Sequence, residues 1–168
     1  MDKAVFYKLS SGLYIIGAQD QKRNVGCVVN TVTQSTSNPV TLTVCINKEN
    51  FTDECIKKTG EFTVSILSEA VSRNVLAIFG FSSGKDKEKF SMVPYATTTS
   101  GLPYLSEGVC GYLECKVLES IDVFTHTLFI AEVVDGKPLT EEPALTYEYY
   151  HQVLKGKTPP KASSYIAE

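Results

Sequence analysis

The sequence predicts a mainly β domain with short helices, built as a barrel and not as a parallel sheet. Three observations lead there. The apolar segments are short, β-branched and set off by turn residues. They number about seven, and their spacing is that of barrel strands. No GxGxxG or phosphate loop follows any of them, so no separate dinucleotide or nucleotide domain stands beside the barrel.

Residues 5–9 and 13–18 read as strands flanking Ser10-Ser11-Gly12, a hairpin turn. Residues 24–33 read as a third strand, 40–47 as a fourth and 62–67 as a fifth. Residues 108–119 and 123–134 are longer, and Asp135-Gly136 ends the second with a turn signal. Two helices interrupt the strands. Thr52 is the expected cap of the first, with Asp53 and Glu54 in its first turn and pointing outward, Lys57 and Lys58 in its last turn, and Gly60 after its end. Ser72 caps the second, which buries Val75, Leu76 and Phe79 and stops at Gly80. Residues 81–90 are polar and flexible in character, and from Glu141 the chain reads irregular or weakly helical. The expected organisation is one domain over residues 1–150 and a C-terminal arm or linker, rich in proline and small polar residues, over 151–168.

At 168 residues the chain is long enough for one full core. Its 43% hydrophobic and 21% charged residues are those of an ordinary globular protein, and the net charge of -3 without a basic stripe argues against nucleic-acid binding. The apolar runs fall far short of the ~18 residues of a membrane span. The N-terminus has no charged segment followed by an apolar one, so a cytoplasmic protein is expected. Cys27, Cys45, Cys55, Cys110 and Cys115 are odd in number and form no CxxC; they read as small buried hydrophobes in a reducing compartment, and no metal site is expected.

The chemistry concentrates in residues 30–62, NTVTQSTSNPVTLTVCINKENFTDECIKKTGEF. A run of small hydroxyl residues ends in Asn38-Pro39, an apolar strand follows, and Lys48 and Thr52 lead into a helix. This order suits a phosphate-bearing flat ring: hydroxyls and backbone N–H groups for the ring edge, and a helix start with a lysine for the phosphate. Alone, such a run is more often a solvated turn, and Lys48 a surface lysine. Lys85, Lys87 and Lys89 alternate with acids in a charged loop, where Phe90 makes Lys89 the best candidate for an inward lysine. His126, between two threonines, opens an apolar strand; His151 reads as a surface residue. Tyr149 and Tyr150 point to opposite faces if their segment is extended.

The segments NTVTQSTSNP, NKENFTDECIKKTGEFTVSIL, FGFSSGKDKEKF, GYLECKV, HTLFIAEVVDG and PLTEEPALTYEYY stand in the order of the flavin-reductase-like family. The chain resembles that family from about residue 6 to residue 150. The resemblance implies a Greek-key split β-barrel that binds FMN and forms a homodimer. It implies flavin contacts from Asn30, Thr31, Thr33, Gln34, Ser35 and Thr36, and phosphate contacts from Lys48, Thr52 and Lys89, with Lys87 competing for the last place. It also implies a role for His126 near the ring or the nicotinamide, and an aromatic beside the flavin from Tyr150 or Tyr149. Thr36 stands where flavoredoxins carry a tryptophan, and this chain has none. The segment KGKTPPKASSYI is similar to the tail of flavoredoxins and of the flavin domain of high-molecular-weight rubredoxins, in which a rubredoxin module follows; the sequence ends at Glu168. Two functions are therefore expected. One is an NAD(P)H oxidoreductase of the flavin reductase type, with NADH or NADPH as donor. The alternative is an electron carrier with tightly bound FMN, reducing a protein acceptor such as rubredoxin or a flavodiiron protein.

Overall fold

The computed structural model describes residues 2–165; residue 1 and residues 166–168, the last three of the expected arm, lie outside the described residues. Seven antiparallel strands form the main sheet: β1 Tyr14–Asp20, β2 Arg23–Val29, β3 Val32–Ser37, β4 Val40–Asn47, β5 Glu61–Leu67, β8 Val109–Val123 and β9 His126–Pro138. A small hairpin, β6 Tyr95–Thr97 and β7 Pro103–Leu105, packs beside it. Helices α1 Phe51–Thr59, α2 Arg73–Phe81 and α3 Tyr147–Gln152 complete the chain, with short 3-10 helices at Lys3–Lys8 and Lys89–Met92.

The strand order β2-β1-β5-β8-β9-β4-β3 dictates a barrel. In a flat sheet its outer strands would lie about 29 Å apart, six steps of about 4.8 Å. Yet β2 and β3, at opposite ends of that order, are joined only by Asn30 and Thr31, a link that spans about 10 Å at most. The sheet therefore rolls until its two edges meet, and Asn30-Thr31 crosses the seam. This explains why residues 24–33 are not the single strand that the sequence suggests: at Asn30 the chain leaves one edge for the other.

The interior packs Ile16, Val25, Leu42, Val44, Phe62, Val64 and Phe129 against Cys55 and Ile56 of α1. The outer face of β1 carries Ile15 under α2, where Val75, Leu76, Ile78 and Phe79 meet Phe90 and Leu105. Both faces of β1 are thus covered, and Ile15, Ile16 and Ala18 are all buried. Cys27 and Cys115 belong to the interior; burial pushes their thiols up to about 11 and about 12, so they are protonated packing groups at neutral pH.

Several expectations are corrected. Residues 5–9 are not a strand; Lys3–Lys8 is a 3-10 helix, and Ser10-Ser11-Gly12 carries the chain to α3, where Ser11 O accepts from Tyr147 N. The first hairpin turns at Gln21 and Lys22 instead. Asp135-Gly136 is no turn: both residues pair with β8, and the turn of this long hairpin is Phe124-Thr125. Thr52 is not a cap. The N-cap of α1 is Asn50, and Thr52 lies inside the helix, 1% exposed. Asp53 does not point outward but is buried, whereas Glu54 is exposed and pairs with Lys58. Gly60 and Ser72 behave as expected: Gly60 closes α1 in the left-handed conformation, and the Ser72 hydroxyl accepts from Val75 N. α2 runs one residue past Gly80, and α3 runs across the expected domain boundary at residue 150.

Candidate functional site

The barrel seam gathers the polar groups. Asn30 ends β2 and is buried at 6% exposure. Thr31, next on the link, ties the seam to β4: its carbonyl accepts from Cys45 N, and its hydroxyl lies 3.3 Å from Cys45 O. Beyond it, the expected polar loop is an edge strand, β3, paired only with β4 and exposed from Thr33 to Ser37. Gln34 pairs with Leu42 and Thr36 with Thr41, so Ser35 bulges out of the ladder. An unpaired edge with a bulge offers backbone N–H groups to a ligand.

On the other side of β4, His126 pairs with Asn47 and with Val123. Its Nδ1 lies 2.8 Å from the Thr125 hydroxyl, and its Nε2 is buried with no hydrogen-bond partner among the described residues. Burial lowers the His126 pKa, and the Lys161 carbonyl and the Asp53 carboxylate pull the other way. At neutral pH the imidazole is therefore uncharged. The Thr125–Nδ1 bond can run in either sense; in the tautomer in which Thr125 donates, the ring proton sits on Nε2, a buried donor in need of an acceptor.

The start of α1 follows. Lys48 N donates to Thr125 O, and its ammonium lies 3.3 Å from Asp122. The Asn50 side chain makes no capping bond, which leaves the helix start without a side-chain acceptor from its cap. Asp53 places a buried carboxylate in the same turn, held at 3.0 Å by Lys57, with its other oxygen unpartnered. That charge opposes an anion on its own side of the helix start.

The structure thus brings together Asn30, Thr31, His126 and Lys48, and sets Thr33, Gln34, Ser35 and Thr36 along the adjoining edge. Two expected residues lie elsewhere. Thr52 faces the Cys27 thiol inside the barrel. Lys89 is indeed inward, 3% exposed, but its ammonium donates to Gly26 O at 3.1 Å and to Phe79 O at 3.2 Å, between β2 and α2. Lys87, its rival, is exposed. Tyr149 and Tyr150 do not alternate as in a strand, because α3 is helical: Tyr150 is buried, and Tyr147 and His151 share its side of the helix at ring distances of 6.1 and 5.2 Å. Tyr150, Tyr147 and Asn30 line one small cavity of about 20 Å³ with Leu76 and Pro159.

Sequence reasoning missed the C-terminal segment. Ser163 donates to Asn30 Oδ1 at 3.1 Å, and Asn30 Nδ2 donates to Ser164 at 2.7 Å. His151, expected at the surface, is half-buried and holds this segment through Gly156 O and the Thr158 hydroxyl. At Gly156 any Cβ would collide with the Tyr150 ring, so only glycine lets the chain cross there. The signal lay in the hydroxyl-rich composition, which reads equally as a linker.

An antiparallel barrel split at a polar seam, with a lysine just before a helix start, suits a flat, phosphate-bearing cofactor. The chain belongs to the flavin reductase like domain family, which it matches over residues 6–156. It is 42% identical over 166 residues to a ferric-chelate reductase (NAD(P)H) of Archaeoglobus fulgidus, covering 99% of this chain and 98% of that one. It is 41% identical over 165 residues to a high molecular weight rubredoxin of Moorella thermoacetica, covering 98% of this chain and 72% of that one. Among solved structures it resembles the flavin reductase HpaC, solved with NADP+, at 25% identity and a TM-score of 0.74, over 86% of this chain and 90% of that one. The mainly β split-barrel fold is thereby that of its family.

Proposed function

We propose that the protein is an FMN-dependent oxidoreductase of the flavin reductase type, moving electrons from NAD(P)H through FMN. The observation that carries this reading, beside the family, is the seam. A buried carboxamide, a hydroxyl and an edge strand with a bulge stand where the sheet edges meet, and an imidazole nitrogen without a hydrogen bond among the described residues lies across β4 from them. Bound FMN supplies hydride acceptance and one-electron release, which no side chain here can do. The protein's part is positioning. Asn30, Thr31 and the 33–36 edge hold the ring edge, Lys48 and the start of α1 hold the phosphate, Tyr150 backs the seam, and His126 offers its Nε2 proton. The donor set fits FMN: neutral hydrogen-bonding groups for the ring and one cation for the phosphate.

The alternative, a carrier that keeps FMN and reduces rubredoxin or a flavodiiron protein, draws support from the likeness to the high molecular weight rubredoxin and from the C-terminal segment against Asn30. Desalting separates the two. A protein that stays yellow and bleaches with NADH or NADPH under argon is the carrier. One that leaves the column colourless and bleaches added FMN is the reductase. A protein that bleaches no flavin with either donor overturns both.

The reading extends to assembly. Leu118, Ile121, Val123 and Phe124 are exposed along the β8–β9 hairpin, Phe124 at 96%, and Val40 and Val134 edge an apolar groove of about 520 Å³. A homodimer covers such a surface. Light scattering at micromolar concentration should give twice the chain mass, and Leu118→Glu with Ile121→Glu should give a folded monomer; a monomeric wild type with FMN present would count against it. The five free thiols support a cytoplasmic setting.

A further inference from the structure

We infer that Ser163 and Ser164 are positioning residues of the flavin site, acting through Asn30. The segment that carries them lies beyond the family match, which ends at residue 156. It is anchored at both ends of the seam. Thr158 bonds to the Tyr147 hydroxyl, Pro159 and Ala162 line the small cavity with Asn30 and Tyr150, and Lys161 pairs with Glu49 at 3.2 Å.

Hydrogen-bond bookkeeping fixes the direction of the network. Ser163 spends its single proton on Asn30 Oδ1, so at its 3.0 Å contact with the Thr31 hydroxyl it accepts, and the single Thr31 proton goes to Ser163 and not to Cys45 O, the more distant acceptor at 3.3 Å. Asn30 Nδ2 donates to Ser164, which donates to the Tyr147 hydroxyl at 3.0 Å. Tyr147 then donates to Thr158, and Thr158 to His151 Nε2, provided that His151 Nδ1 donates to Gly156 O. Every link is used in one sense, from Thr31 to His151. Within it the Asn30 carboxamide can adopt only one of its two flips. The tail uses one of the two amide protons and one of the two oxygen lone pairs, so one donor and one acceptor remain for a ligand. The serines therefore select which face of Asn30 that ligand meets.

This rests on the reading that Asn30 faces the flavin ring. The test uses the full chain in four forms: wild type, Asn30→Ala, Ser163→Ala with Ser164→Ala, and all three changes together. FMN affinity is read from flavin fluorescence quenching, with a thermal melt beside it. The serine pair should weaken FMN by about three- to tenfold, the equivalent of one hydrogen bond, and add little once Asn30 is alanine. Threonine at both serine positions should restore binding. Equal loss in both backgrounds, or tighter binding without the serines, overturns the positioning role and leaves the flavin site standing. An unchanged affinity in Asn30→Ala overturns the site reading itself, and the positioning role with it.

Discussion

Lys89→Met should lower the unfolding free energy by about 2–4 kcal/mol while leaving FMN affinity within about twofold, because the buried ammonium is spent on two main-chain carbonyls. Phe79 is in the last turn of α2, so its carbonyl is among those that the helix itself cannot satisfy, and a cation there also complements the helix dipole. Gly26 lies on β2, an outer strand of the sheet. Methionine fills the volume and removes the cost of burying a charge, yet strands both acceptors, and the second effect is the larger. Burial depresses the Lys89 pKa. The folded state thus gives up this proton before the unfolded state does, so the lysine's contribution to stability is highest above the unfolded pKa of about 10.4 and is lost as pH falls through the lowered folded value. The gap between wild type and Lys89→Met should widen as pH rises through that window. Urea melts at several pH values, beside an FMN titration, decide the matter: a large loss of affinity with an unchanged melt would return Lys89 to the phosphate.

The misplacement of Lys89 shows what local pattern can carry. Its inward course was legible, since a lysine fixed beside a phenylalanine cannot swing freely, but its partners lie 10 and 63 residues away, and no local signal names them. Strand β4 was legible to the residue because its apolar run ends in turn chemistry on both sides. The 24–33 segment was not, because the break at Asn30 is imposed by the curl of the whole sheet and not by any residue in the run. Thr52 was a sound cap by residue type; Asn50, two residues earlier, took the role because the chain turns at Asn47, whose carbonyl accepts from Asn50 N. Asn30 and Lys48 were singled out through the order of motifs, whereas Ser163 and Ser164 were hidden in a segment whose composition is that of a linker. Tertiary docking of a polar arm leaves little trace in hydropathy, because what it buries is hydrogen bonds.

His126→Ala should slow the reduction of bound flavin by NAD(P)H by about ten- to a hundredfold at matched FMN occupancy, and should leave the fold intact. The magnitude is that of a hydrogen bond to a developing charge, about 1.5–3 kcal/mol. The case is the buried Nε2, which makes no hydrogen bond among the described residues: a buried N–H left so costs about 1–3 kcal/mol, and the cost is recovered when a carbonyl or a reduced ring accepts from it. Hydride transfer needs no acid from this residue, so its part is to orient and to stabilise charge. The sign of the pH dependence follows from the lowered pKa. The neutral imidazole is favoured by the fold, so its contribution to stability is complete above about pH 6.5 and is lost as pH falls through the lowered value. Protonation also forces Nδ1 to donate, and the Thr125 hydroxyl must then turn away. The reduction rate should therefore be flat from pH 7 upward and change only on the acid side, and His126→Gln, which retains a donor of similar reach but cannot titrate, should keep much of the rate and lose the acid limb. Stopped-flow reduction across pH, with a melt of each variant, checks all three. A normal rate in His126→Ala together with a melting temperature lower by several degrees would make His126 a packing residue of β9, its orphaned nitrogen satisfied by solvent.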